Sequence, residues 1–427
     1  MKTWPKPSTI TAVKTRGMVA VVALVLAAAG CDPGGSGAQD VEVVAGAGEA
    51  DGGPAADAFI DGRLVDMVMD RAGTLRVLTE VDAVATLWTV QGGQLTHVAV
   101  PEVKADYVSQ MTAGPDGAIY VALWNGEGGV WQIKPDGRAV HTLGIDRDTY
   151  SGDRVPPADG APVKGAFLQY MHGVAVSADN RMYFAEERIR PTTFQLVRTV
   201  DAGKLKTVLG RDLTGLTERQ WRSSRAGKGF PDGSPATQIA LEGGLDNPIA
   251  VAPDGTVYAA PGRRTVVAVK PDGSARKVIG REGLDGDIDD PSEPFEARGS
   301  ASEASVWLKG SGSVRQGTTN PSLVVDANGD LYLTSSRSFG EDLPESFDWT
   351  GDATGRQEEL LVQSRDSLDG RTEETEVLRV KPDGSLSTVA GHADAVAVHD
   401  DWLYLARSFT DDEGDNRVLV VKTAIAR

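Results

Sequence analysis

Glu376-Val377-Leu378-Arg379-Val380-Lys381-Pro382-Asp383-Gly384 decides how this chain folds. A strand runs into a Pro-Asp-Gly turn, in which proline presets φ and glycine accepts a positive φ. The same ending recurs in Val130-Trp131-Gln132-Ile133-Lys134-Pro135-Asp136-Gly137 and in Thr265-Val266-Val267-Ala268-Val269-Lys270-Pro271-Asp272-Gly273. Each continues into a short strand closed by glycine: Ala139 to Gly144, Ala275 to Gly280, Leu386 to Gly391. The C-terminus carries only the first half of the unit, Arg417-Val418-Leu419-Val420-Val421-Lys422. The matching second half, Val41-Glu42-Val43-Val44-Ala45-Gly46, stands near the N-terminus. A ring of repeats closed by pairing its two ends accounts for both fragments, and closure removes exposed sheet edges.

Outward from these stretches the grammar holds. Ile249-Ala250-Val251-Ala252 meets Pro253-Asp254-Gly255 and returns as Val257-Tyr258-Ala259-Ala260. Tyr120, Tyr183, Tyr258, Tyr332 and Tyr404 hold equivalent places in five such returns, a pattern that predicts packing between repeats. Fourth strands closing near Gly46, Val100, Gly144, Gly210, Gly280 and Gly391 give six units. The fold expected is therefore all-β, a six-bladed β-propeller closed by an N-terminal outer strand on three C-terminal strands. With 50 glycines and no long helical period, the composition agrees.

The first residues read differently. Lys2, Lys6, Lys14 and Arg16 precede an apolar run, Met18 to Ala29, that is too short to span a bilayer. Ala28-Ala29-Gly30-Cys31 resembles the lipobox of bacterial lipoproteins, and that resemblance implies cleavage before a lipidated Cys31. As the only cysteine, Cys31 has no internal disulfide partner. The expected organisation is a signal peptide over 1–30, a Gly-rich tether over 31–40 and the propeller over 41–427, with an in-blade insertion at 335–375. Loss of the four leader cations takes the formal charge from −18 to −22. That surface argues against nucleic acid and against direct adhesion to anionic lipid, leaving the lipid anchor as the only membrane contact. The expected location is the extracytoplasmic side of the cell membrane, and the expected state is a monomer.

Gly227-Lys228-Gly229-Phe230-Pro231-Asp232-Gly233-Ser234-Pro235-Ala236-Thr237, followed by Asn247-Pro248-Ile249-Ala250-Val251, resembles the linker and first strand of NHL-repeat propellers. Val44 to Ala55 repeats that linker, and Asp159-Gly160-Ala161-Pro162 echoes it. The resemblance covers most of residues 41–427 and implies the fold more sharply than an activity. The Ala-Asp…Asn-x-Arg run that this family carries after its second strand is missing from most repeats here.

Short Pro-Asp-Gly turns fall on one face of such a disc and every long segment falls on the other, where binding usually resides. The expected role is a binding or interaction module, its partner an envelope protein, a saccharide or a small ligand. Trp221, Trp307, Trp349 and Arg222 lie in the long segments and suit a partner surface. An enzymatic alternative rests on His172 and Glu186, which are equidistant from the turn at Asp179 and so expected as cross-strand neighbours able to transfer a proton. Asn247 and Asn320 each precede a proline at the same end of their blades. Their resemblance to lactonase-type propellers implies an amide-lined channel mouth that takes Ca²⁺ or Mg²⁺. That reading is a divalent-metal-dependent lyase or lactonase, and the binding reading needs no cofactor. Asp285 to Asp290 and Asp411 to Asn416 lack EF-hand spacing and read as solvated acidic loops.

Overall fold

The structure, a computed structural model, describes residues 41–48, 52–124, 129–144, 157–168, 170–188, 194–214, 216–217, 220, 230–241, 247–261, 265–280, 299–304, 322–339, 372–391, 393–411 and 414–425. They form six antiparallel sheets arranged as the blades of a propeller. Blade 1 comprises Arg63–Met69, Leu75–Val81, Val84–Gln91 and Gln94–Ala99; blade 2 comprises Val108–Ala113, Ile119–Leu123, Gly129–Ile133 and Ala139–Gly144. Blade 3 comprises Met171–Val176, Met182–Arg188, Phe194–Asp201 and Lys204–Leu209. Ile249–Val251, Val257–Ala259, Val266–Val269 and Ser274–Ile279 make blade 4; Leu323–Val325, Leu331–Phe339, Thr372–Val380 and Ser385–Gly391 make blade 5. Blade 6 takes Ala395–His399, Trp402–Thr410 and Asn416–Ala424 from the C-terminus and its outer strand, Val41–Ala45, from the N-terminus.

Closure follows the expected pairing. Val41 faces Thr423, Glu42 faces Lys422 and Val43 faces Val421 in antiparallel register. Glu42 and Lys422 form an ion pair at 3.0 Å, and the Lys422 ammonium also sits over the Trp402 ring, 4.8 Å from its centroid. Turns between first and second strands and between third and fourth strands share the expected chemistry. Gly117, Gly137, Gly255, Gly273, Gly329 and Gly384 all have φ between 76° and 86°, and Asn180 takes the same role in blade 3 with φ 63°.

The linkers do more than connect. Gly53–Pro54 pairs with Leu95 and Gln94, Ser234–Pro235 with Ala275 and Ser274, and Gly299–Ser300 with Leu386 and Ser385. Each linker thus lays a short fifth strand on the outer edge of the blade it is about to enter, and Pro162 bridges Lys204 in blade 3 likewise. The next residue is alanine in three cases, and its amide donates to the glycine carbonyl of that blade's outer turn: Ala55 to Gly93 (2.8 Å), Ala236 to Gly273 (2.9 Å), Ala301 to Gly384 (2.9 Å). These alanines are at most 1% exposed, so the linker's short strand and the alanine that follows it cap the edge strand.

Apolar faces pack blade against blade. Tyr120 packs among residues of blade 3, Tyr183 of blade 4, Tyr258 of blade 5, Tyr332 of blade 6 and Tyr404 of blade 1, the inter-blade role their spacing predicts. The blade 5 strands continue to Phe339 and resume at Thr372, which face each other in register. Hairpin structure therefore enters the expected insertion from both sides. In the acidic loop beginning at Asp411, Arg417 takes the carboxylates of Asp411 (3.1 Å) and Asp415 (3.3 Å) together with Asp61 (2.6 Å).

Candidate functional site

The inner strand of every blade is a sheet edge, so its inward N–H groups need acceptors from somewhere else. Matching the blades through their tyrosine registers, with Arg76 in that place in blade 1, aligns Met67, Met111, Val174, Ile249, Leu323 and Val396 around the centre. Three side chains at the preceding position capture five of these amides. Asp66 accepts from Met67 through Oδ1 and from Met111 through Oδ2, both at 2.7 Å. Gln110 accepts from Val174 and Ile249 at 3.0 Å and donates back to the Ile249 carbonyl at 2.8 Å. Ser322 accepts from Val396 at 3.2 Å.

Gln110 thereby reaches from blade 2 across blade 3 to blade 4. It can do so because blade 3 has Gly173 at that point, where a Cβ would lie 2.3 Å from the Asn247 carbonyl and 3.0 Å from Gln110 Oε1. Blade 4 carries Pro248 and blade 6 carries Ala395 at the same position, neither with an acceptor side chain. Among the described residues no charged side chain perturbs Asp66. Burial pushes its carboxyl up to about 7, against the downward pull of the two amides.

At the loop-face end of blade 3, the expected His172–Glu186 pair is not formed. The inner strand bulges between Met171 and Gly173, so Glu186 stands opposite Met171 and His172 is the extra residue. His172 Nε2 instead shares a hydrogen bond with Glu187 Oε2 at 2.6 Å. Strand alternation turns Glu186 to the opposite side of the blade. There it is fully buried between Arg188 (3.4 Å) and Arg198 (3.2 Å), which themselves are 1% and 0% exposed. Both arginines also donate to the Pro157 carbonyl at 2.9 Å, and they reach out to Asp212 and Asp159 respectively. This network pins the blade 2–3 linker at Pro157 and Asp159, and the chain after Leu209, to the blade. The Asp212 carboxyl is held below its ordinary range by Thr214 and Arg188, although burial opposes them.

On the side facing blade 4, Asn247 is buried and its Nδ2 donates to Gln195 Oε1 at 2.8 Å. Its Oδ1 is buried and has no hydrogen-bond partner among the described residues. The polar residues brought together at this end are thus His172, Glu187, Gln195 and Asn247. Glu187 and Gln195 escaped the sequence reading because only the bulge selects Glu187 over its neighbour, and because Gln195 lies on the third strand, away from any motif. A His–carboxylate pair can exchange a proton, but His172 is 2% exposed and Glu187 8%. Among the described residues no three His, Cys, Asp or Glu side chains converge as a metal-binding group. Asn320, Trp221, Trp307, Trp349, Arg222 and Cys31 lie outside the described residues.

No family model matches the chain, and no curated protein sequence matches it. Among solved structures it is similar to a protein of unknown function from Bacteroides thetaiotaomicron, at 14% identity and a TM-score of 0.47, covering 90% of this chain and 76% of the other. A luciferin-regenerating enzyme aligns at 12% identity and 0.43, covering 91% and 97% of the two chains. A streptogramin B lyase aligns at 9% identity and 0.37, covering 90% and 97%. No chemistry carries over at these scores; what stands is the six-bladed β-propeller that the chain's own sheets build.

Proposed function

We propose that this protein is a lipid-anchored, extracytoplasmic binding module that offers the loop face of its propeller to an envelope protein, a saccharide or a small ligand. One observation carries the reading: the two faces are unlike. The turn face is built of short turns, most of them closed by a glycine at positive φ, whereas the long segments that differ from blade to blade depart from strand ends on the opposite face. The buried Glu186–Arg188–Arg198 network supports it, since it fixes loop bases in place. Rigid footings under variable loops are what a recognition surface needs.

The tether reading is consistent with strand polarity. Val41 begins its strand at the turn face, so the nine residues from Asp32 to Asp40 would leave that side and span roughly 30 Å at most. The anchored disc would hold its turns toward the membrane and its loops outward. Among the described residues no helix is long and apolar enough to cross a membrane.

Photo-crosslinking groups placed in intact cells at Thr214, on the loop face, and at Asp272, in a turn, test the proposal. Adducts are expected from Thr214 and not from Asp272; equal or reversed yields refute it. Cys31→Ser should release processed protein from the membrane fraction, and unchanged membrane association of that processed form would refute the anchor. The second reading, a lyase or lactonase, is favoured by the His172–Glu187 pair beside Asn247. It requires turnover on a lactone and ester panel that His172→Ala and Glu187→Ala abolish without lowering the melting temperature.

A further inference from the structure

We infer that Asp66 is a proton-operated latch between blades 1 and 2, which holds the Met111 amide when ionised and releases it when protonated. The geometry demands a carboxylate. Both oxygens act as acceptors, Oδ1 from Met67 and Oδ2 from Met111, each at 2.7 Å. A proton on either oxygen converts an acceptor into a donor facing an N–H. Met67 is the next residue in the chain and cannot withdraw, so the Met111 contact, the one that crosses between blades, gives way.

Holding the ring together does not need an acid. Gln110 and Ser322 do the same work in blades 2 and 5 with neutral groups, and blades 3, 4 and 6 carry Gly173, Pro248 and Ala395. Only blade 1 places an ionisable side chain there. The charges on the surrounding strands have their own partners. Within blade 1, Arg63 binds Glu80 and Asp106, and Arg76 donates to Thr89 and feels Asp70. The inner strand of blade 2 carries no charge. From blade 6, His399 faces Asp400, Arg407 feels Asp394, Arg417 binds three aspartates and Lys422 binds Glu42. None of these contributes to Asp66, whose carboxyl titrates near neutrality because it is buried.

The folded state keeps this proton up to about 7, whereas the unfolded chain releases it near 3.8. Between those values the native state binds more protons, so global stability falls as pH rises, while the local Met111 contact strengthens. The two readouts run in opposite directions, which a general acid effect would not produce. The test follows deuterium uptake at the Met111 and Val396 amides of the wild-type protein between about pH 5 and about pH 8, corrected for intrinsic exchange. Val396 is the control, since its acceptor, the Ser322 hydroxyl, does not titrate in this range. Protection at Met111 should drop about tenfold relative to Val396 on acidification, the loss of one buried hydrogen bond. In parallel, the ratio of unfolding constants of wild type to Asp66→Asn should rise by about a thousandfold from about pH 4 to about pH 8. If Asp66→Asn does not fold, the amide comparison alone decides. Parallel behaviour of the two amides, or a ratio independent of pH, overturns the latch.

Discussion

Gln110→Ala should be among the costliest single changes in the propeller, although the residue belongs to no motif. Its side chain makes three buried bonds, to Val174 N, Ile249 N and Ile249 O, and is 6% exposed. At about 1 kcal/mol net per bond the loss is about 3 kcal/mol if water enters the vacated space. If the space stays dry, the two amides and one carbonyl left unpaired raise the cost to about 6 kcal/mol. Guanidinium unfolding followed by tryptophan fluorescence measures it through the shift in midpoint at constant slope. Gln132→Ala is the matched control from the same blade, because Gln132 gives up only two solvent-accessible bonds, to the Tyr120 hydroxyl at 2.9 Å and to Asp116 at 3.4 Å, and should cost about 1 kcal/mol or less. Gln110→Glu adds a diagnostic. It keeps an acceptor for both amides but sets a second oxygen against the Ile249 carbonyl, so it should approach wild-type stability only where the new acid is protonated. Equal midpoints for Gln110→Ala and Gln132→Ala would refute the idea that one side chain ties three blades.

Other outcomes follow from the same contacts. Gly173→Ala drives a methyl to 2.3 Å from the Asn247 carbonyl, and should lower stability by about 1–3 kcal/mol and lower the melting temperature accordingly; an unchanged melt would mean that blades 3 and 4 can part freely. Glu186→Gln leaves two buried guanidiniums short of their shared carboxylate and should cost about 3–5 kcal/mol by chemical denaturation, with Arg188→Met/Glu186→Leu/Arg198→Met recovering much of it. Deletion of residues 32–46 removes the outer strand of blade 6 and should yield aggregating protein on size-exclusion chromatography; a monomer that melts like the parent would show that closure is dispensable.

Strand content, blade count and ring closure were legible because each rests on local chemistry. A Pro-Asp-Gly triplet makes the same turn wherever it stands, and a half-repeat at each chain end has only one partner. The site was less legible for two physical reasons. Counting from Asp179 selects Glu186, but the extra residue at His172 shifts the pairing by one, and a one-residue shift in a strand reverses the face. Asp66 and Gln110 look unremarkable in sequence, since their partners are backbone groups and leave no complementary residue to notice. The linkers repeat visibly in the sequence, yet their mechanical meaning, a clamp on the next outer edge, emerges only from Ala55, Ala236 and Ala301 bonding to turn carbonyls.

Ring closure also sets a timetable. Val41 has no mate until Thr423 exists, so the first strand of the domain to be synthesised is the last to find its place. During synthesis the growing chain can complete blades 1 to 5 in order, each from contiguous sequence, while the segment at 41–45 waits unpaired. Contacts of such long sequence separation close slowly. The late step is therefore a capture of the N-terminal strand by the finished C-terminal hairpin, and any chain that ends before Asn416 keeps an open ring with two sticky edges.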